Sequence, residues 1–159
     1  MVEHTKAMKR KRGYTQVYTG DGKGKTTAAI GLAIRAAGAG LKTYIAQFIK
    51  MGDYSEIKAL RRFSDLITVD QFGQGRFTNG NPSPEDIESA QKGFEKIKSI
   101  MNSDEYQIII LEEANVAVKY GILRVEDLIE LINNKSFETE LVITGRGASD
   151  RIIEKADLV

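Results

Sequence analysis

Thr19-Gly20-Asp21-Gly22-Lys23-Gly24-Lys25-Thr26-Thr27 is the stretch that decides the fold. It follows a β-like run at 15–18 and opens a strongly helical stretch that continues from Ala28. Glycines let backbone N–H groups converge on an anion, and the N-terminus of a helix adds partial positive charge. We therefore predict a nucleoside triphosphate site in which Lys25 reaches the phosphates and the Thr26 hydroxyl meets Mg²⁺.

The spacing of the glycines departs from the usual phosphate-loop pattern, G-x-x-x-x-G-K-S/T. Gly20 and Gly24 are separated by only three residues, so either Thr19 takes the place of the first glycine or the loop is one residue shorter. A glycine-rich hairpin with chance lysines is the alternative. The strand before the loop and the helix after it favour the phosphate loop.

Composition limits the range of functions. A chain of 159 residues fits one domain, and 42% hydrophobic with 28% charged residues is typical of a globular protein. No apolar run approaches the ~18 residues that span a membrane. The formal charge of +1 offers no overall attraction to nucleic acid. We expect neither a membrane nor a nucleic acid as partner.

Cysteine and histidine are nearly absent from the chain. It has no cysteine, which excludes disulfides, thiolate metal sites and cysteine nucleophiles. The single histidine, His4, lies in a basic segment, so a Ser-His-Asp apparatus is excluded too. We assign residues 1–13 to a basic N-terminal tail, either solvated or a functional arm, and residues 14–159 to a single domain.

Short apolar strands alternate with helices along the chain. Strands are predicted at 15–18, 43–48, 66–72, 107–113 and 141–144, and helices at 25–37, 55–63, 83–102, 114–120, 125–132 and 149–155. The helix at 25–37 is rich in Ala, Ile and Leu on nearly every face, which predicts a helix buried against a sheet rather than an amphipathic surface helix. This pattern predicts the α/β class, a parallel sheet with helices on both faces, and a P-loop NTPase (RecA-like) architecture.

Polar groups follow several of these strands, and in a parallel sheet they meet at one edge. Glu112 and Glu113 end a buried strand and are candidate ligands of Mg²⁺, with Glu113 favoured. Arg146, between two glycines, either meets phosphate, nucleotide or a second substrate, or is an exposed turn residue. The long loop 73–82 is either a binding loop around Phe77 or a surface loop anchored by that ring.

Several of these motifs together resemble the ATP:corrinoid adenosyltransferases of the bacterial cobalamin pathway. The resemblance rests on residues 20–29, Gln47-Phe48-Ile49-Lys50, Leu111-Glu112-Glu113, 144–147 and Ala156-Asp157-Leu158-Val159. The shortened phosphate loop is itself a feature of that family. The chain departs from the family pattern at Glu112, where the family has aspartate, and the family usually continues past the segment that ends at Val159.

The resemblance implies transfer of the 5′-deoxyadenosyl group of ATP to cobalt(I) of a corrinoid, with release of triphosphate. It also implies ATP bound with its phosphate chain reversed relative to kinases, and an aromatic group, Phe77 or less surely Phe72, against the corrin. Further implications are an external flavodoxin-like reductase, a homodimer and a cytoplasmic location. The residues assigned to the nucleotide are Gly20, Asp21, Gly22, Lys23, Gly24, Lys25, Thr26, Thr27 and Arg146. Lys25, Thr26, Glu113 and Phe77 are assigned to catalysis, and Thr26, Glu113 and Glu112 to the metal.

Two other functions remain open on the residues alone. A small-molecule kinase would use the same loop, but no residue stands out as the base for an acceptor hydroxyl. A RecA-like ATPase or nucleotide-binding module would need a basic face, and the near-neutral charge offers little beyond the tail.

Overall fold

Five parallel strands form one sheet in the order β1-β5-β4-β2-β3 in the computed structural model, which describes residues 11–73 and 81–159. The strands are β1 (Thr15–Tyr18), β2 (Thr43–Phe48), β3 (Ile67–Phe72), β4 (Ile108–Glu112) and β5 (Glu140–Thr144). The α-helices in the described residues are α1 (Lys25–Gly38), α2 (Ser55–Leu60), α3 (Pro84–Met101), α4 (Ala114–Lys119), α5 (Val125–Asn134) and α6 (Asp150–Ile153), and a 3₁₀ turn at Arg61–Phe63 continues α2. The predicted α/β, P-loop NTPase (RecA-like) architecture is confirmed.

Helices cover both faces of the sheet, which is why its central strand β4 is a continuous apolar run. Because successive side chains of a strand point to opposite faces, Ile108 and Ile110 of β4 pack toward α1, whereas Ile109 and Leu111 pack toward α3, α4 and α5. The central strands β4 and β5 are buried along nearly their whole length. The sheet therefore holds its carboxyl edge as a rigid platform.

Helix α1 packs against the sheet, as predicted, but with only one of its faces. Its buried residues are Ala29, Ala33, Ala36 and Ala37, which form a single face on the sheet. Thr27, Ala28, Gly31 and Ile34 are exposed, and Ile34 retains 44% of its accessible surface. Small alanines let the helix approach the sheet closely along one side, and the apolar residues on its other side are left uncovered. The predicted burial against the sheet is confirmed, whereas the prediction that this is not an amphipathic surface helix is wrong for the described residues.

Helix α3 begins as its sequence predicts. Ser83 is the N-cap, and its Oγ accepts the Asp86 N–H at 3.1 Å while Asp86 Oδ2 accepts the Ser83 N–H at 2.9 Å. Pro84 occupies the first turn, where its missing N–H has no intrahelical partner to lose. The helix ends at Met101, with Asn102 as its C-cap.

The two ends of the described chain meet beside β1. Arg12 pairs with Asp157 at 2.7 Å, and Leu158 forms a parallel bridge with Gln16. Lys135 Nζ donates to the Gly13 carbonyl at 2.7 Å. Arg12 and Gly13, which the sequence analysis assigned to the tail, thus contact the domain.

Candidate nucleotide site

The phosphate loop joins β1 to α1. Gly20 and Gly24 have φ angles of 98° and 111°, in the left-handed region that favours glycine. Thr19 is not among the residues with positive φ, so Gly20 takes the place of the first glycine and the loop is one residue shorter than usual. Helix α1 is 14 residues long and has no acidic residue in its first turn, so its N-terminus is suited to an anion.

Lys25 lies over the loop that it was predicted to serve. Its Nζ donates to the Gly20 carbonyl at 2.7 Å and to the Gly22 carbonyl at 2.6 Å. The ammonium is thereby held against the loop's own carbonyl groups. Asp21, Gly22 and Lys23 are exposed at the loop's outer turn.

Glu112 is the carboxylate that contacts the phosphate loop. The Thr26 hydroxyl donates to Glu112 Oε1 at 2.5 Å, and Gln47 Nε2 donates to Oε2 at 3.3 Å. Glu112 is only 2% exposed. As the last residue of β4 it shares the face of Ile108 and Ile110, and this face is the one that α1 covers. The geometry thus favours Glu112 over Glu113 as the partner of Thr26, the reverse of the ranking from the sequence.

Glu113 turns away from the strand. It is the N-cap of α4 and has a φ of 60°, and its N–H donates to Thr144 Oγ1 at 3.0 Å. Burial raises the pKa of its carboxyl above 4.5, and the charge of Glu112 raises it further. Lys50, Lys25 and Arg146 oppose this shift.

Lys50 is a residue of this site to which the sequence analysis gave no role. Its Nζ lies 3.4 Å from Glu112 Oε1 and 3.9 Å from Glu113 Oε1. It follows Ile49, whose φ of 70° is unusual for a β-branched residue and redirects the chain after β2. The sequence carried two signals of it, a cation two residues after the end of a strand and the motif Gln47-Phe48-Ile49-Lys50 of the family resemblance.

Hydrogen bonds between amide side chains connect the end of β3 to Glu112. Gln71 Nε2 donates to Gln47 Oε1 at 2.7 Å, and Gln47 in turn donates to Glu112. Gln71 also binds Gly52 through both backbone groups, at 3.2 Å to its N–H and 3.1 Å to its carbonyl. The turn that contains Lys50 is therefore braced by β3.

Arg146 lies in an exposed turn that is fixed from below. Gly145 is buried, and its φ of 129° and close approach to Asn115 and Val116 leave little room for a side chain. Asn115 Nδ2 donates to the Gly145 carbonyl at 3.2 Å, and the Ala148 N–H donates to Thr19 Oγ1 at 3.2 Å. The turn is thus tied to both the Glu113 segment and the phosphate loop.

Of the two aromatic residues predicted to lie against the corrin, the structure describes only one. Phe77 lies outside the described residues. Phe72, the last residue of β3, packs its ring on Gly93 of α3 and lies 5.8 Å from the ring of Phe48. Phe72 is partly buried, so part of its surface remains accessible at the carboxyl edge.

The donor set at the edge fits a hard divalent cation. Thr26 and the two glutamates offer a hydroxyl and carboxylate oxygens, which Mg²⁺ prefers, and the Lys50 ammonium already places one positive charge against both carboxylates. Over 11–73 and 81–159, no cluster of three or more His, Cys, Asp or Glu residues is arranged to hold a metal alone. Mg²⁺ needs no such cluster when substrate phosphates supply further ligands.

Across residues 11–73 and 81–159, no helix has the length and apolar character of a membrane span.

Comparison with known proteins places this site in a family. The corrinoid adenosyltransferase of Pseudomonas aeruginosa is 32% identical over 149 residues, covering 93% of this chain and 73% of that protein. The corrinoid adenosyltransferase of Escherichia coli K12 is 33% identical over 150 residues, covering 93% and 75%. The flagellar accessory protein FlaH from Methanocaldococcus jannaschii shares the fold, with a TM-score of 0.67, 14% identity and coverage of 92% of this chain and 70% of that one. The model of the family described as ATP:corrinoid adenosyltransferase BtuR/CobO/CobP matches residues 11–159, and the chain therefore belongs to the ATP:corrinoid adenosyltransferases.

Proposed function

We propose that this protein transfers the 5′-deoxyadenosyl group of ATP to cobalt(I) of a corrinoid and releases triphosphate. The observation that carries this proposal is the hydrogen bond of 2.5 Å from the Thr26 hydroxyl to Glu112. It connects the phosphate loop to the carboxylate edge in a chain of this family. In the reaction, the cobalt–carbon bond forms as the bond from C5′ to the triphosphate oxygen breaks. Both electrons of the broken bond leave with the triphosphate.

The chain's own residues serve placement and charge stabilisation. Cobalt(I) is itself a strong nucleophile, so the protein needs neither a general base nor a covalent side chain, in keeping with the absence of cysteine and of any histidine within the motifs. Backbone N–H groups of 21–26, with Lys23 and Lys25, hold the triphosphate and stabilise the charge that grows on it as it leaves. The positive charge of Arg146 acts to lower the pKa of Glu113. We assign Arg146 to the triphosphate as well.

We assign Mg²⁺ to Thr26 and Glu112, with Glu113 as a further ligand. This revises the preference for Glu113 drawn from the sequence, because Glu112 is the carboxylate in contact with the Thr26 hydroxyl. When bound, the ion would supply positive charge to the triphosphate. The extra methylene of glutamate is compatible with this role, since it lets the carboxylate reach Thr26 from the end of β4.

The acceptor side of the reaction is also part of the proposal. Phe77, and less surely Phe72, would lie against the corrin, and an external flavodoxin-like reductase would deliver the electron that the chain has no redox group to supply. We further propose that residues 14–159 act as one catalytic domain, in a homodimer and in the cytoplasm, where ATP is made and used.

The transfer can be tested directly. The protein is incubated with Mg-ATP and chemically reduced cobalamin while the corrinoid spectrum and the phosphate products are followed. We expect a light-sensitive adenosylated corrinoid and triphosphate in equal amounts. Lys25→Ala is expected to abolish turnover, while Lys42→Ala, which alters an exposed lysine paired with Glu105, should leave it unchanged.

The products separate the proposal from its rivals. ADP would indicate phosphoryl transfer by a kinase, and ADP with free phosphate would indicate an ATPase; either result contradicts the proposal. Phe77→Ala should raise the KM for the corrinoid more than the KM for ATP. Equal changes in both would remove Phe77 from the corrin site.

A further inference from the structure

Lys50 places an ammonium between the two carboxylates of the nucleotide site, although neither the phosphate loop nor the transfer chemistry requires it. Its Nζ lies 3.4 Å from Glu112 and 3.9 Å from Glu113. The Glu112 side chain is 3% exposed and that of Glu113 is 22% exposed, so water screens this pairing far less than it would on the surface. Lys50 itself is 33% exposed, so its ammonium has room to move.

The position of Lys50 is built into the backbone. Ile49 has a left-handed φ of 70°, and its N–H donates to the Phe72 carbonyl at 3.2 Å. Two residues after Lys50, the side chain of Gln71 forms hydrogen bonds with both the N–H and the carbonyl of Gly52. Strained backbone at a ligand site persists only where its surroundings enforce it, and here both sides of Lys50 are tied to the end of β3.

The carboxylate oxygens of Glu112, which Lys50 contacts, have few lone pairs left for another ligand. Glu112 Oε1 accepts from the Thr26 hydroxyl at 2.5 Å as well as from Lys50, while Oε2 accepts from Gln47. A carboxylate oxygen offers about two lone-pair sites. A divalent cation that binds Oε1 therefore has to displace one of these donors, and the ammonium on its flexible stem is the easier one to move.

We propose that Lys50 is an exchangeable cation of the phosphate site, which neutralises Glu112 and Glu113 until the metal–triphosphate complex binds and then turns its ammonium to a phosphate oxygen. The exchange conserves charge pairing, because the divalent ion takes over the two carboxylates and the ammonium gains a new anion. Lys50 is thereby a positioning residue for the carboxylates and a ligand of the triphosphate. The proposal rests on the proposed function in naming ATP as the ligand and in assigning Mg²⁺ to the two carboxylates.

Calorimetric titration of ATP, with no corrinoid present, tests the exchange. Lys50→Met is expected to weaken ATP binding at saturating Mg²⁺ by about tenfold or more, because a charge-assisted hydrogen bond to phosphate is lost. The same variant should need less Mg²⁺ for half-maximal ATP binding, since no ammonium competes for Glu112. Lys50→Arg keeps the charge and should restore most of the ATP affinity.

Lys58→Met is the matched control. Lys58 lies on α2, its side chain is 62% exposed, and it pairs with Asp53 rather than with the site. It should leave both quantities unchanged. Circular dichroism melting establishes that each variant is folded, and Lys50→Gln carries the same expectations should Lys50→Met not fold.

Both changes together support the exchange, and the absence of either overturns it. Unchanged ATP affinity would mean that the ammonium never reaches the phosphates. An unchanged or increased Mg²⁺ requirement would mean that it does not compete for the carboxylate. Because the titration contains no corrinoid, a failed adenosyl transfer would leave this result readable.

Discussion

Thr26 and Glu112 are joined by a hydrogen bond of 2.5 Å from Oγ1 to Oε1, which links the first turn of α1 to the last residue of β4. The bond sets the distance between the phosphate loop and the carboxylate edge. Glu112 is buried among Thr26, Gln47 and Lys50, so its charge is fully partnered within the protein.

Removing that charge should disable the site. Glu112→Gln keeps the volume of the side chain but loses the anion that pairs with Lys50 and, in our assignment, with Mg²⁺. We expect adenosyl transfer to fall at least tenfold, on the scale of about 1.5–3 kcal/mol for hydrogen bonds to charged groups. Steady-state kinetics against ATP measures this, and Glu105→Gln, on an exposed pair with Lys42, is the control. Wild-type kinetics in Glu112→Gln would contradict the assignment.

Glu113 should make stability depend on pH. Its pKa in the folded protein is raised above 4.5 by burial and by Glu112, so ionisation costs more in the folded than in the unfolded chain. That contribution to stability is fully present below pH 4.5 and is lost as the pH rises through the folded pKa. Glu113→Gln should therefore raise the melting temperature at pH 7.5.

The advantage of Glu113→Gln should shrink as the pH approaches 4.5, where the wild-type carboxyl is increasingly protonated in both states. Thermal melting in EDTA without nucleotide, at several pH values between these limits, measures the trend. A variant that melts below the wild type at pH 7.5 would show that its contacts outweigh the cost of burial.

The N-cap of α3 should contribute to the unfolding free energy by an amount typical of helix caps. Ser83→Ala removes the acceptor of the Asp86 N–H and should cost about 1 kcal/mol of unfolding free energy, measured by urea denaturation. Ser99→Ala, at an exposed position inside the same helix, should be neutral or slightly stabilising. Equal effects of the two substitutions would argue against the cap.

Gly93 should tolerate no side chain while Phe72 stays in place. A Cβ at Gly93 would overlap the base of the Phe72 ring, so Gly93→Ala should destabilise the protein despite the better helix propensity of alanine. Combining it with Phe72→Ala should remove that clash, giving less destabilisation than the sum of the two single changes.

Gly31→Ala in α1, where a Cβ meets nothing within 4 Å, should instead stabilise the protein by up to about 1 kcal/mol.

The fold was predictable because short strands alternate with helices, because the central strand β4 is a continuous apolar run, and because polar residues follow several of the strands. The start of α3 was predictable for a local reason, since Ser83 and Pro84 act on their own turn. The exposure of one side of α1 was not, because an alanine-rich sequence fits a helix with one close-packed face as well as a helix covered on several sides. Only the tertiary packing distinguishes the two.

Two features of the site escaped the sequence for physical reasons. The preference for Glu112 depends on the pleat of β4, which places it on the side of α1, and on the left-handed turn that carries Glu113 away. The position of Lys50 depends on a left-handed φ at Ile49, a conformation that β-branched residues disfavour. No residue-level propensity indicates it.

The amide chain from Gln71 through Gln47 to Glu112 crosses three neighbouring strands, from the edge of the sheet to its centre. Gln71 lies two residues before Gly73, where the chain leaves β3. A ligand that shifts the end of β3 would change the hydrogen bond received by Gln47 and hence the orientation of the Glu112 carboxylate. Any free energy so transmitted acts equally in both directions, so whatever binds at the end of β3 and whatever binds at Glu112 would alter each other's affinity by the same factor.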